Sequence, residues 1–546
     1  MKTQKHQVFS FRKATLICAI AAVGMSVGTA SAAPAPRFIV AFKAGAADQA
    51  NAAVIRERGN VKRKISGMNA MSVEMSATAA AALRADPSIA YVEEDVLRFI
   101  PEMEMAAEAG GDGGTDMTTA SNPASGKNYY LGQHVPYGIG MVQADQLPNG
   151  ASLAGNRKIC IIDSGYDRAH EDLNNNGTVT GEYDAGTGWW HTDENSHGTH
   201  VAGTIAAQNN SGVGVVGVLP GRQLRLHIVK VFGANGWAYS SELADAANKC
   251  AAAGSNIISM SLSGPEPSAT EQAAFDALAA RGILSVAASS NAGTTAPRWP
   301  AGYASVVSVG ALDSNKQWAS FSNYNAKVEL SAPGVNVVST VPMNSVTASE
   351  LKVGATTYYP GPMTFSPRAT RTAPLADFGL GTQVNPAVAG KVCLIERGLV
   401  SFAIKVANCE ASGGVAAVVY NIVSPTSTGG SFGGTLGAPG STIPSVTASA
   451  AEGAAMKAQL GQLATVTVRG DHYAAFNGTS MATPHVAAVA GLVWSYFPTC
   501  SAAQIRGALA ATAEDLGTPG RDHKYGYGLV RAKAAFDYLT AQGCKN

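Results

Sequence analysis

The stretch Asn477-Gly478-Thr479-Ser480-Met481-Ala482-Thr483-Pro484-His485 joins a glycine-containing turn to an apolar run, Val486 to Phe497, of a length suited to a buried helix. A serine at that junction sits beside unpaired N–H groups and the positive end of a helix dipole. A hydroxyl alone is a weak nucleophile. It becomes effective when a base takes its proton and donors hold the charge that develops on the attacked oxygen. The stretch therefore carries chemistry only if the chain also supplies a base, a carboxylate to orient it, and an oxyanion donor.

Each is present at a separate place. Lys158-Ile159-Cys160-Ile161-Ile162 reads as a short apolar strand that delivers Asp163, followed by Ser164-Gly165. Asn195-Ser196-His197-Gly198-Thr199-His200-Val201-Ala202-Gly203-Thr204 opens an apolar helix with His197 at its start. Asn291 follows the apolar strand Ile283 to Ala288, within Ser289-Ser290-Asn291-Ala292-Gly293. The pair His197 and His200 has a helical spacing that suits zinc, but the His-Glu-x-x-His pattern is missing, so His200 reads as a packed structural histidine.

With these motifs in the chain order Asp, His, Ser, the sequence resembles the subtilisin-like serine proteases over Val135 to about Val341 and Tyr473 to about Thr540. The resemblance implies an α/β fold, with a mostly parallel sheet flanked by helices, and an endopeptidase acting on proteins or peptides through an acyl-enzyme. Ser480 is then the nucleophile, His197 the general base and acid, Asp163 the residue that orients the imidazole, and Asn291 the oxyanion donor. Where the family usually has glycine before this asparagine, the chain has Ser290. Ser261-Leu262-Ser263-Gly264 resembles the strand that pairs with substrate backbone, with Ala288 as the opposite pocket wall. Arg298 falls near the family's pocket floor and is expected to point to solvent. Gln133, Asp172 and Asn210 match positions of a structural calcium site, with carbonyls of the loop 207–216 completing the oxygens. The alternatives are a catalytically silent binding protein built on the same scaffold, and a maturation protease with few substrates.

A chain of 546 residues is too long for one core. The 46% hydrophobic and 14% charged residues describe a globular protein. From Lys127 onward 26 Lys+Arg balance 26 Asp+Glu, which gives no reason to expect nucleic acid as a partner. Lys2, Lys5, Arg12 and Lys13, the apolar Ala14 to Gly28 and the small-residue site Ala30-Ser31-Ala32 read as a cleaved export signal over 1–32, so the protein is expected to be secreted. No later stretch is apolar enough to span a membrane.

Residues 33–102 read as a small α/β unit resembling the subtilase inhibitor propeptide, which would make the chain its own intramolecular inhibitor. Residues 103–127 are Gly-, Ala- and acid-rich and read as a linker that contains the processing site. The catalytic unit is then 128–345 and 471–546, interrupted by 346–470. That insert is rich in Gly, Pro, Ser and Thr with short apolar strands, and Gly390 to Gly398, Phe402 to Gly413 and Ala416 to Asn421 resemble a protease-associated domain. Six cysteines remain after the signal, an even number in an exported chain. Cys393 with Cys409 is the first expected pair, then Cys500 with Cys544. Cys160 with Cys250 is the least supported, because both lie in apolar segments.

Overall fold

The computed structural model describes residues 36–101, 104–105, 129, 133–147, 157–174, 177–210, 212, 214–221, 224–361, 363–424, 427–430 and 432–545. The signal-like segment 1–32 and most of the linker 103–127 lie outside the described residues.

The central sheet has seven strands: β1 (Lys158–Asp163), β2 (Val179–Gly181), β3 (Arg225–Lys230), β4 (Ile257–Met260), β5 (Leu284–Ala288), β6 (Val306–Leu312) and β7 (Val328–Pro333). Their spatial order is β7-β6-β5-β4-β1-β3-β2, and every pairing is parallel. Near-continuous burial along β4, β5, β6 and β7 is what a sheet covered on both faces requires, which is why β4, β5 and β6 read as apolar runs. Helices α1 (His197–Ala206), α2 (Ser240–Ala252), α3 (Ala269–Ala280) and α4 (Thr479–Tyr496) cover it. The strand order reverses where β1 lies between β3 and β4, so the segments following β1 and β4 open at a topological switch, where such sheets place their sites.

Two strands escaped the sequence reading. β7 carries Glu329 and Ser331 and is more polar than the apolar-run criterion accepts, and β2 has only three residues.

Helix α4 begins at Thr479, not at the apolar run from Val486. Its first turns are polar in sequence yet fully buried, because α4 threads the middle of the main core. Pro484 lies inside it and has no N–H to offer the carbonyl of Ser480. The Ser261 hydroxyl supplies that missing donor at 2.7 Å.

Residues 37–94 form a four-stranded antiparallel sheet in the order 60–64, 70–74, 37–42, 89–94, with helices Ala47–Arg56 and Ala77–Leu83 on one face. The edge strand Asn60–Lys64 was not expected. Its sequence Asn-Val-Lys-Arg-Lys reads as charged loop, and an edge strand tolerates that pattern because it is half in water. The other face of this sheet, through Ile39, Ala41, Ile65 and Ala70, packs on Ala244 of α2 and Ala274 of α3.

The insert folds around its own core as a seven-stranded mixed sheet. Val392–Glu396, Ala416–Tyr420 and Ser445–Ala448 are its parallel half, and Val346–Val353, Leu463–Asp471 and Ala369–Asp377 its antiparallel half. Disulfides join Cys160 to Cys250, Cys393 to Cys409 and Cys500 to Cys544. The first of these, least expected from sequence, staples β1 to α2 inside the apolar layer. No helix among the described residues is long and apolar enough to cross a membrane.

Candidate functional site

Asp163 closes β1 and His197 opens α1, so each is fixed by the end of a regular element. His197 Nδ1 and Asp163 Oδ1 are 2.7 Å apart, and both side chains are fully buried. The approach depends on two glycines. A Cβ on Gly198 would lie 2.3 Å from the carbonyl oxygen of Gly165, so the turn after β1 and the first turn of α1 touch through bare backbone. The α1 N-terminus is held there by Ser164 Oγ, which accepts from Gly198 N at 2.8 Å, and by Asp193, which accepts from Thr199 N and Thr199 Oγ1 at 2.8 and 2.6 Å. Asp193 was missed in the sequence because it precedes the helix by four residues, outside the usual cap position.

Gly198→Ala is expected to lower kcat/KM at least 100-fold by pushing the imidazole off its carboxylate, since an ångström of misplacement costs about that much. The check is peptide turnover alongside a circular dichroism spectrum that confirms folding.

Ser480 lies in the first turn of α4, which packs against α1. Its Oγ donates to the Ser261 carbonyl at 3.3 Å, and the buried His197 Nε2 has no hydrogen-bond partner among the described residues. The expected serine–histidine hydrogen bond is therefore not made in this structure: the hydroxyl is turned to the neighbouring carbonyl. Asn291 Oδ1 accepts from Thr479 N at 2.9 Å and Thr479 Oγ1 at 2.8 Å, which fixes the amide orientation and leaves its nitrogen as the donor end. A Cβ on Gly478 would lie 3.0 Å from Asn291 Nδ2, so this position suits glycine. Ser290, where the family has glycine, takes φ 91°, a glycine-like conformation, and is anchored through Ser290 N to Thr479 Oγ1 and Asn323 N to Ser290 O.

The predicted pocket strand divides by role. Ser261 serves Ser480 through both its hydroxyl and its carbonyl. Leu262 is fully buried in the core beneath the cleft. Ser263 N and O pair with Phe99 O and N at 3.0 and 2.8 Å, and Gly264 pairs with Trp299. Ala288 is buried at the end of β5. Arg298 is only partly exposed, and its Nε is buried without a hydrogen-bond partner among the described residues.

A second cleft strand, Trp237–Tyr239, was not foreseen; it pairs antiparallel with Leu97–Phe99. Residues 97–99 thus lie between two strands of the catalytic unit, and Glu104–Met105 pairs with Phe476–Asn477 just before Ser480. The chain's own segment crosses the cleft on both sides of Ser480, and Ser480 and His197 are fully buried. The N-terminal unit is fastened by carboxylates set at helix N-termini. Glu93 accepts from Ala269 N and Thr270 N of α3 at 2.8 and 2.9 Å. Asp95 accepts from Ser241 N of α2 at 2.9 Å and pairs with Arg37.

Gln133, Asp172 and Asn210 do come together. Gln133 Oε1 accepts from Asn210 N at 3.1 Å, and Asp172 accepts from Asn210 Nδ2 and Val215 N at 2.8 Å each. Asn210 turns its amide nitrogen toward Asp172, not its oxygen, as an uncompensated carboxylate demands. Asp172 is fully buried with no cationic side chain paired to it among the described residues, and burial pushes its carboxyl up to about 8. A buried carboxylate with no cationic side chain paired to it among the described residues fits a hard cation such as Ca²⁺. His200 is packed as expected: it is buried, stacks on Phe476 at 4.3 Å and lies within hydrogen-bond distance of Val337 O and Ala474 O.

Fold and site together define a doubly covered parallel α/β domain with an Asp–His–Ser–Asn constellation. The chain matches the sequence profile described as the subtilase family over residues 155–366 and 384–528, and it belongs to that family. It is 39% identical over 275 residues to an alkaline protease of Alkalihalobacillus alcalophilus, covering 50% of this chain and 62% of the relative. It is 32% identical over 357 residues to subtilisin J of Geobacillus stearothermophilus, covering 63% of this chain and 83% of that one. Among solved structures it resembles the psychrophilic subtilisin-like protease Apa1 of the Antarctic psychrotroph Pseudoalteromonas sp. AS-11, at 42% identity and TM-score 0.55 over 76% of this chain and 100% of that one.

Proposed function

We propose that this chain is a secreted serine endopeptidase made as an autoinhibited zymogen. The observation that carries the reading is the buried Asp163–His197 pair beside Ser480 and Asn291, beneath a segment of the same chain laid along the cleft as a substrate strand. In the reaction Ser480 Oγ attacks the scissile carbonyl carbon while His197 Nε2 takes its proton. Asp163 holds Nδ1–H and stabilises the imidazolium. The oxyanion is held by Asn291 Nδ2 and the Ser480 N–H at the start of α4. The tetrahedral adduct expels the amine with the proton from His197, leaving an acyl-Ser480 that water hydrolyses by the same relay.

The unit 33–102 is the intramolecular inhibitor, and maturation cuts the chain between the pairings at Phe99 and Glu104. Three disulfides suit an exported protein. The insert 346–470 is read as a protease-associated domain that docks substrates or limits access.

A fluorophosphonate probe tests the reading: labelling of the processed form at Ser480, lost in Ser480→Ala, is expected. An unlabelled but fully processed and folded protein would count decisively against it.

Gln133, Asp172 and Asn210 would hold a structural Ca²⁺. Between pH 3.8 and about 8 the folded cation-free chain keeps a proton on Asp172 that the unfolded chain has lost. Its stability therefore falls as pH rises across that window and levels off above it. A bound cation takes the proton's place. The rise in Tm on adding Ca²⁺ to chelated protein is expected to be larger at pH 8 than at pH 5, measured on Ser480→Ala to avoid self-digestion. An equal rise at both pH values would contradict this.

A further inference from the structure

We propose that Glu271 and Tyr303 form an acidic side pocket of the cleft that selects an arginine side chain in extended peptide substrates, at the residue just before the one that pairs with Ser263. The inference rests on the protease reading and adds a specificity determinant to it.

Leu97, Arg98 and Phe99 lie in strand register against Tyr239, Ala238 and Trp237, and Phe99 exchanges two hydrogen bonds with Ser263 on the other side. In such a strand alternate side chains point opposite ways. Leu97 and Phe99 remain 37% and 40% exposed, whereas Arg98 is fully buried. Its guanidinium meets Glu271 in a bidentate pair, Nε to Oε1 at 2.8 Å and Nη2 to Oε2, and Nη1 donates to Leu97 O at 2.9 Å. Gly264 shapes the wall, since a Cβ there would lie 2.6 Å from Arg98 Nη1.

The carboxylate is fixed by the catalytic unit alone. Glu271 lies in the first turn of α3, at the positive end of the helix, and Tyr303 donates to its Oε2 at 2.7 Å while accepting from Ser268 N at 2.9 Å. Among the described residues Arg98 is the only cation paired with Glu271, and Arg98 belongs to the unit removed on maturation. Maturation thus leaves a buried, preoriented carboxylate open to the cleft without its counter-charge. An incoming peptide strand in the same register restores the pair. A guanidinium fits better than an ammonium because only the planar fork reaches both oxygens.

The test uses the mature enzyme and fluorogenic peptides that carry Val-Leu-X-Phe-Ile-Pro, the sequence of residues 96–101, with X as Arg, Lys, Gln or Leu. Cut positions are read by mass spectrometry. Arg at X is expected to raise kcat/KM over Leu on the order of 10–100-fold, with Lys in between. In Glu271→Gln that advantage is expected to vanish while cleavage of the Leu peptide stays within a few-fold of wild type. Should Glu271→Gln not mature, the double variant Arg98→Leu, Glu271→Leu keeps a matched pair within the chain, and it is expected to favour the Leu peptide. Equal rates for all four peptides, or an Arg advantage that survives loss of the Glu271 charge, would overturn the pocket and leave the protease reading intact. Cleavage of none of them by an enzyme that also fails to label with fluorophosphonate would take down both.

Discussion

Ser480→Ala is expected to lower peptide hydrolysis by roughly 10⁶-fold and to leave the N-terminal unit attached, a magnitude borrowed from removal of the corresponding nucleophile in subtilisin. The physical reason is that Ser480 lies in the first turn of α4, which packs on α1, the helix that carries His197, while its neighbour Thr479 is bonded to Asn291 after β5. Replacement by methyl deletes the covalent step without opening a cavity, so Tm should hold. His197→Ala should cost nearly as much, and the double variant little more than either, because the two side chains act as one unit. The measurement is kcat/KM on a fluorogenic peptide, with gel analysis of the purified chain. Comparable losses summing multiplicatively in the double variant would mean that His197 does not serve Ser480. Ser480→Ala chains that appear cut between Phe99 and Glu104 after expression without other proteases would show that maturation is not the chain's own act.

The second large effect is expected at Asn291. Replacing it by Ala removes the side-chain donor of the oxyanion, and should reduce kcat by about 10²–10³-fold with KM changed little, since the donor matters for the charge that exists only in the transition state. Asn291→Asp tests the sign: it keeps size and the Thr479 contacts but presents a carboxylate to a developing anion, so it should be at least as damaging. A change confined to KM would place Asn291 in substrate binding and remove it from the chemistry. Thr479 enters the same argument, because its N–H and hydroxyl choose which end of the amide faces the reacting oxygen.

What was legible in the sequence follows period and burial. Strands β1, β4, β5 and β6 were visible because a doubly covered parallel sheet needs uninterrupted apolar residues. The motifs around Asp163, His197 and Ser480 were visible because each places a polar residue at an abrupt boundary of such a run. The insert showed itself by its Gly-, Pro-, Ser- and Thr-rich composition and its own short apolar strands between residues 345 and 471. Edges were harder to see: Asn60–Lys64 and Val179–Gly181 are short or half in water, and their sequences resemble loops. The start of α4 was placed too late because its polar first turn is stabilised by buried partners distant in the chain, Ser261 and Asn291 among them.

By itself, then, the sequence determined the family and its fold class, and it singled out Asp163, His197, Ser480 and Asn291 as the side chains to test, since those depend on local pattern and on residue chemistry. Only the tertiary structure decided that Ser480 turns to Ser261 and that Asp193 anchors α1. It also decided that Trp237–Tyr239 forms the second wall of the cleft and that Arg98 meets Glu271 across 173 positions of chain. Contacts at such separation are fixed by how sheet, helices and N-terminal unit pack together, and no periodicity along the chain encodes them.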